Sequence, residues 1–173
     1  MDQYDNPLAY YSLVLRDGKV IGGARAMPTT SNWGEHTYML RDAAEGKLPD
    51  IPNRLLESEI ATPDVWECTR LVMSDDVKNH ADRAQCLSYI VDGLVTVARE
   101  RGGSELISLS PVSLMRALRQ LGYSASRIGE PYSNPGDGRK YAVLSMPTTL
   151  SNERPRIAKT RDLVQREPEL ATA

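Results

Sequence analysis

Glu67 and Arg70 stand in one run, DVWECTRLVM (residues 64–73), whose β-prone side chains read as a strand. Alternation puts Val65, Glu67, Thr69 and Leu71 on one face and Trp66, Cys68, Arg70 and Val72 on the other. A carboxylate and a guanidinium inside a central-looking strand are costly to bury, so they either pair or serve a function. Other chemistries have less support. The 2 cysteines, Cys68 and Cys86, form no CxxC or zinc spacing and no disulfide framework. The 2 histidines, His36 and His80, lie far apart in sequence, which disfavours a metal site.

The elements that must position these residues follow from turn signals and periodicity. LAYYSLVLRDGKVIGGARAM (residues 8–27) places two β-prone runs around Asp17-Gly18, a type I′ hairpin signal. Residues 28–60 are irregular, punctuated by Pro28, Pro49 and Pro52, with a short helix expected at YMLRDAAEG and ended by Gly46. Residues 80–101 carry Leu87, Ile90, Val91, Leu94 and Ala98 at helical spacing, with Asp75-Asp76 expected to favour the N-terminus and Gly102-Gly103 ending the helix. ELISL (residues 105–109) reads as a short buried strand. Ser110 then reads as an N-cap with Pro111 at the first helical position, Leu114, Met115, Leu118 and Leu121 forming the buried stripe, and Gly122 the stop. Arg116 and Arg119 fall off that stripe. Residues 123–128 and 139–146 make a last strand pair around EPYSNPGDG.

The order β-β, insert, β, α, β, α, β, β is that of an α/β sandwich with a mixed sheet. It suits a GNAT-like acyltransferase sandwich, in which the central sheet is splayed and a thioester slides between the parted strands. The sequence has 173 residues, enough for one domain, expected over 1–149. From 150 to 173 it is rich in Pro, Arg and Glu and reads as a poorly ordered polar tail. The formal net charge of -2 argues against a global nucleic-acid footprint, and there is no apolar run long enough for a membrane span. The polar, acidic start does not read as a signal peptide, so the expected compartment is cytoplasmic.

Several segments line up in a fixed succession. Asp2-Gln3-Tyr4-Asp5 precedes the hairpin, whose second strand runs GGARAMPTT (residues 22–30). Tyr38-Met39-Leu40-Arg41-Asp42 and Trp66-Glu67-Cys68-Thr69-Arg70 follow. The ordered set D-x-x-D, G-x-x-R-x-x-P-T-T, Y-M-L-R-D and W-E-x-x-R resembles the acyl-homoserine-lactone synthases, the LuxI-type autoinducer synthases, over residues 2–146. The resemblance implies quorum-sensing signal production. The amino group of S-adenosylmethionine is joined to an acyl chain delivered on acyl carrier protein or CoA, and lactonisation expels methylthioadenosine. It also implies that no metal or prosthetic group is needed, S-adenosylmethionine being a substrate.

Carried over residue by residue, the resemblance points to Asp2, Asp5, Arg25, Glu67 and Arg70. Asp2 and Asp5 suit the sulfonium and ammonium of S-adenosylmethionine. Glu67 is the expected base for that ammonium, directly or through a water, with burial beside Trp66 raising its pKa and a nearby arginine opposing the rise. Arg70 or Arg25 suits the substrate carboxylate. Backbone donors near residues 71–73 are expected to face the thioester oxygen. Ser108 is expected on one wall of the acyl pocket, provided the register of its strand holds. Arg116 and Arg119 are expected to dock an acidic carrier protein. Without the resemblance the same residues admit plainer readings. Asp2 and Asp5 fit a solvated terminus, Arg25 and Arg70 fit structural partners of Glu67 or of the insert's acidic residues, and Thr29 and Thr30 fit turn caps. Arg116 and Arg119 fit a solvated helix face, and Ser108 fits a serine satisfied by a backbone carbonyl. Cys68 reads as a small buried hydrophobe, and His36 and His80 as exposed loop residues.

The sequence departs from the family pattern in places. The family carries a segment ahead of D-x-x-D with Arg, Phe and Trp positions that close over S-adenosylmethionine, whereas Asp2 here follows Met1 directly. Ala43 and Ala44 stand where the family tends to have Phe, and Thr69 replaces Ser with its hydroxyl kept. These departures touch the amine side. Two other functions therefore stay in view: a GNAT-like N-acyltransferase on another amine, and a catalytically weak paralogue that binds acyl chains or their carrier.

Overall fold

A computed structural model describes residues 2–149; the expected tail, 150–173, lies outside the described residues. The hairpin forms as expected, with β1 (Tyr10–Arg16) and β2 (Lys19–Pro28) joined through Asp17 and Gly18. These have φ of 51° and 75°, the left-handed pair that a type I′ turn requires. The short helix in the insert is α1 (Met39–Ala44), followed by Gly46 at φ 77°. Next come β3 (Val65–Met73), α2 (His80–Glu100), β4 (Glu105–Pro111), α3 (Val112–Gln120), β5 (Ser126–Ser133) and β6 (Lys140–Pro147).

The six strands form one sheet in the order β1-β2-β3-β4-β6-β5, antiparallel except between β3 and β4. That parallel pair is brief. Val65, Trp66 and Glu67 match Glu105, Leu106 and Ile107, and beyond Glu67 the two strands run on without pairing. The sheet is thus mixed and splayed at its centre, as the GNAT-like expectation requires. The opening begins directly after Glu67, so it already includes 68–70 alongside the expected 71–73.

The two faces of the sheet are covered differently. On one, α2 and α3 bury Ile21, Ala24, Ala26, Trp66, Leu106 and Met146, and the whole expected stripe of α2 is buried there. Helix α2 crosses β1 at Gly93, where an added Cβ would fall 2.2 Å from Ser12 Oγ. The other face is covered by the N-terminal segment, α1 and the insert, around Tyr4, Met27, Tyr38, Leu40, Leu55, Val65, Ile107 and Val143. Thr29 ties the insert down, donating to the Thr62 carbonyl at 2.9 Å and accepting from its amide at 3.1 Å.

The N-cap of α2 is Asn79, which accepts from the Asp82 amide at 2.7 Å. Two local expectations change. Ser110 is not a cap: β4 continues through it to Pro111, and its hydroxyl lies 3.0 Å from that of Ser108. Strand β3 does not alternate throughout. Arg25 on β2 faces Thr69, yet Gly23 faces Val72, so β3 carries one extra residue in that interval. Arg70 takes it up at φ 57°, a bulge that turns its side chain onto the face of Thr69. Beyond the bulge the faces are exchanged. Met73 packs on the helix-side core, and Val72 opens onto a hollow with Tyr11, Leu13 and Arg25.

Candidate active site

Residues from four segments meet at the opening between β3 and β4. The N-terminal turn supplies Asp2 and Asp5, β2 supplies Arg25, β3 supplies Thr69 and Arg70, and β4 supplies Leu109. All of these but Asp5, which is tied to the others through Arg25, border a cavity of about 320 Å³ together with Gln3, Tyr4, Met39, Leu48 and Ile51.

Arg25 is buried, 1% exposed, on a strand whose neighbouring residues, Ala24 and Ala26, face the helices. Its Nη1 donates to Asp2 Oδ1 and Asp5 Oδ1, both at 2.7 Å, and its Nε to Thr69 Oγ1 at 3.0 Å. The guanidinium lies 5.5 Å from the centre of the Tyr4 ring. Arg70 reaches Asp2 Oδ2 from Nε at 2.9 Å and from Nη2 at 2.5 Å, and its side chain is 65% exposed. Asp2 is therefore held between two guanidiniums. Burial works to raise its pKa, but the hydrogen bonds from Arg25 and Arg70 prevail and hold it below the ordinary value. Asp5 is held lower still, first by the Tyr11 hydroxyl at 2.7 Å, then by the Asp2 amide at 2.8 Å, with Arg25 adding to both.

Glu67 sits apart from this cluster. It is 1% exposed and bonded to neither arginine; the Met39 and Leu40 amides donate to Oε2 and Oε1 at 2.6 and 2.8 Å. These are first-turn donors of α1, which have no acceptor within the helix. Burial pushes the Glu67 pKa up to about 7, against the two amides and the positive charge of Arg25. Trp66 is not the cause, since its ring packs on the opposite face against the helices. A carboxylate poised near neutrality has the acid–base strength to take a proton from an amine at physiological pH.

The structure thus brings Asp2, Asp5, Arg25 and Arg70 into one ionic cluster, with the buried Glu67 within electrostatic reach of Arg25. The plainer readings of the arginines are corrected: their partners are Asp2 and Asp5, not Glu67 or the insert. The two arginines also differ in setting. Arg25 is a buried cross-link, whereas Arg70 lies exposed at the rim. Ser108 shares its face with Leu106 and Ser110, toward the helices, while the adjacent Leu109 lines the cavity. Arg116 and Arg119 are both exposed on α3, and Arg119 Nε donates to the Ala125 carbonyl at 2.7 Å. Cys68 packs against the helix-side core, where burial pushes its thiol up to about 12. His80 opens α2 rather than lying in a loop. His36 is not an idle loop residue either: its Nδ1 lies 2.9 Å from Asp42 Oδ2.

Two residues received no role in the sequence reading. Tyr4 is buried beneath Arg25, its hydroxyl donating to Asp42 Oδ2 at 2.9 Å. Asp42 is fully buried. Both stood inside the quoted motifs, D-x-x-D and Y-M-L-R-D, and an aromatic between two aspartates was the available signal.

Among the described residues no helix is long and apolar enough to cross a membrane, and no group of three or more His, Cys, Asp or Glu could hold a metal ion. No family model matches the chain. An acyl-homoserine-lactone synthase from Acinetobacter nosocomialis is 30% identical over 142 residues, covering 79% of this chain and 72% of that protein. One from Acinetobacter baumannii is 30% identical over 128 residues, covering 71% of this chain and 64% of that protein. Among solved structures, TofI in a ternary complex with an inhibitor and MTA superposes with a TM-score of 0.67 at 27% identity, covering 86% of this chain and 68% of that one. Aminoglycoside 6′-acetyltransferase type Ii shares the fold, with a TM-score of 0.51 at 14% identity, covering 84% of this chain and 73% of that one. The motif order, the splayed sheet and the relatives agree, and the chain belongs to the acyl-homoserine-lactone synthase family.

Proposed function

We propose that this protein makes N-acyl-homoserine lactones from S-adenosylmethionine and an acyl thioester carried on acyl carrier protein or CoA. The observation that carries the reading is Glu67: a buried carboxylate with its pKa pushed up to about 7, beside an Asp/Arg cluster, where β3 and β4 part. In this reading the thioester enters through the opening and the amine substrate lies over Asp2 and Arg70. Glu67 takes a proton from the ammonium, directly or through a water. The freed amine attacks the thioester carbonyl, the N–C bond forms, the C–S bond breaks, and the carrier thiol leaves. The methionyl carboxylate, oriented by Arg70, then attacks the carbon bonded to the sulfonium. The C–S bond breaks with its electron pair passing to sulfur, and methylthioadenosine leaves as the lactone closes. Asp2 and Asp5 supply negative charge on the sulfonium side.

Exposed Arg116, with Arg119 behind it, offers positive charge to an acidic carrier protein. Ser108 meets the acyl chain where that chain passes to the helix side of the sheet, and Leu109 meets it on the cavity side. S-adenosylmethionine and acyl carrier protein are cytoplasmic, so the enzyme is expected to act there.

One observation favours a second reading. The Asp2 and Asp5 carboxylates are engaged by Arg25 and Arg70, which leaves less charge for a sulfonium and suits an N-acyltransferase on another amine. A panel of acyl-carrier-protein and acyl-CoA donors, with S-adenosylmethionine and with unrelated amines, separates the two. The proposed function requires thioester-dependent release of methylthioadenosine. Acyl transfer without that release selects the second reading.

A further inference from the structure

Asp42, on α1, is fully buried, yet none of its contacts is to the Asp/Arg cluster or to Glu67. Its Oδ1 accepts from the Thr37 hydroxyl at 2.7 Å and the Thr37 amide at 3.0 Å, with Lys47 Nζ at 3.4 Å. Its Oδ2 accepts from the Tyr4 hydroxyl at 2.9 Å, and His36 Nδ1 lies at the same distance. The carboxylate therefore gathers the segment before α1, Lys47 beyond its C-terminal end and the N-terminal turn around one point.

The helix it stands on needs such an anchor. Helix α1 has six residues, too few to be stable alone, and its N-cap Tyr38 makes no side-chain capping bond. The first turn of this same helix supplies the Met39 and Leu40 amides to Glu67. Tyr4, hydrogen-bonded to Asp42, supports Arg25 from below and so reaches the other half of the site.

We infer that Asp42 is a positioning residue, fixing α1 so that its first-turn amides hold the Glu67 carboxylate and joining that element through Tyr4 to the Asp2–Arg25 cluster. The inference rests on the reading of Glu67 as the base. Asp42 is itself held below its ordinary pKa: burial works to raise it, and the two Thr37 bonds, His36 and Tyr4 outweigh burial. It is thus a fixed negative charge in the working range.

The test exploits a difference of sign. The ionisable groups within electrostatic reach of Glu67 are Arg25 on β2, Asp42 on α1, the Tyr4 and Tyr38 hydroxyls and, from the opposite face of β3, Cys68. The charge of Asp42 favours the protonated form of Glu67, whereas the Met39 and Leu40 amides favour the ionised form. Removing the charge alone lowers the Glu67 pKa; releasing the amides raises it.

The full chain is labelled with carbon-13 at its glutamate carboxyls, and the Glu67 resonance is assigned by its loss in Glu67→Gln. Its titration is compared in wild type, Asp42→Asn and Thr37→Val, the last removing one bond to Asp42 while leaving its charge. Both variants should bind the Glu67 proton more tightly, Asp42→Asn by about tenfold, as expected for loss of a hydrogen bond to a charged group. The acidic limb of kcat/KM should move to higher pH with it. A downward shift in Asp42→Asn would mean that the residue acts by charge alone. A fall in melting temperature with no change of titration would mean a merely structural role. Either result overturns the inference, and Thr37→Val decides it if Asp42→Asn does not fold. The titration needs no turnover. Upward shifts in a wild-type protein that releases no methylthioadenosine would leave the anchoring intact and remove the proposed function. Turnover with an unmoved titration would do the reverse.

Discussion

Asp2 meets Arg70 at 2.5 and 2.9 Å across 68 residues of chain because Arg70 adopts φ 57° within β3. In regular alternation its side chain would share the helix face with Trp66. The extra residue of the bulge turns it over, onto the face that carries Arg25 and Thr69. A left-handed backbone at a non-glycine residue costs about 1–2 kcal/mol, and such strain persists where the surroundings over-determine it. Here the strain places the one exposed guanidinium of the cluster at the cavity rim.

Arg70→Gly should therefore separate stability from activity. Glycine adopts φ 57° without a Cβ penalty, which offsets the loss of an exposed ion pair worth about 0–1 kcal/mol. The variant is expected to stay within about 1 kcal/mol of wild type in urea unfolding. Its KM for S-adenosylmethionine should rise about tenfold or more through loss of a bidentate donor. Unchanged KM would remove Arg70 from substrate binding.

Asp2 should leave a signature in acid. Its folded pKa lies below its ordinary 3.8, so the stability it contributes is present above that pH and is lost as pH falls through the folded value. Wild type should be more stable than Asp2→Asn at pH 6, and the gap should close below pH 3.8. A gap constant from pH 6 to pH 2.5, followed by urea unfolding, would mean that Asp2 stays charged or contributes nothing by charge.

Glu67 has the opposite sign. Its folded pKa, raised from 4.5 to about 7, favours the neutral carboxyl, so the contribution is full below pH 4.5 and is lost as pH rises through 7. Glu67→Gln, which cannot ionise, should lack this decline. Relative to wild type it should gain on the order of 3 kcal/mol between pH 4 and pH 8. Parallel stability curves would show that the carboxyl ionises at its ordinary pKa.

How much of this was legible in the sequence depended on how local the cause was. Asp17-Gly18 fixes the hairpin through its own backbone, and the stripe Leu87, Ile90, Val91, Leu94 and Ala98 fixes α2 through its own period, so both were readable. Ser110-Pro111 failed because pairing of β4 with β6 extends to Pro111↔Tyr141, and a tertiary ladder overrode a local cap signal. The bulge at Arg70 was invisible because it is a register shift against β2, set by two strands together. Asp2, Asp5, Arg25, Glu67 and Arg70 were singled out through motif order. Their partners were not, since a pairing 68 residues apart leaves no periodic trace. Asp42 was passed over because burial of an aspartate is decided by Tyr4, His36, Thr37 and Lys47 together.

Carrier docking is best tested at Arg116. Arg119 also holds the Ala125 carbonyl, so reversing its charge disturbs the turn after α3 as well. Arg116→Glu should weaken binding of acyl carrier protein at low salt and flatten its salt dependence, with acyl-CoA turnover little changed. Equal affinity for the carrier protein in 20 mM and 200 mM salt, before and after the change, would place the docking surface elsewhere.

The central claim, that Glu67 is the base of a lactone-forming acyl transfer, is tested most directly by methylthioadenosine release from S-adenosylmethionine. The release is followed with and without an acyl thioester, in wild type and in Glu67→Gln. The account predicts thioester-dependent release by wild type and a loss of about 10²–10⁴-fold in the variant, with acyl-carrier binding retained. Release by Glu67→Gln at near the wild-type rate, or release by wild type that ignores the thioester, would contradict it.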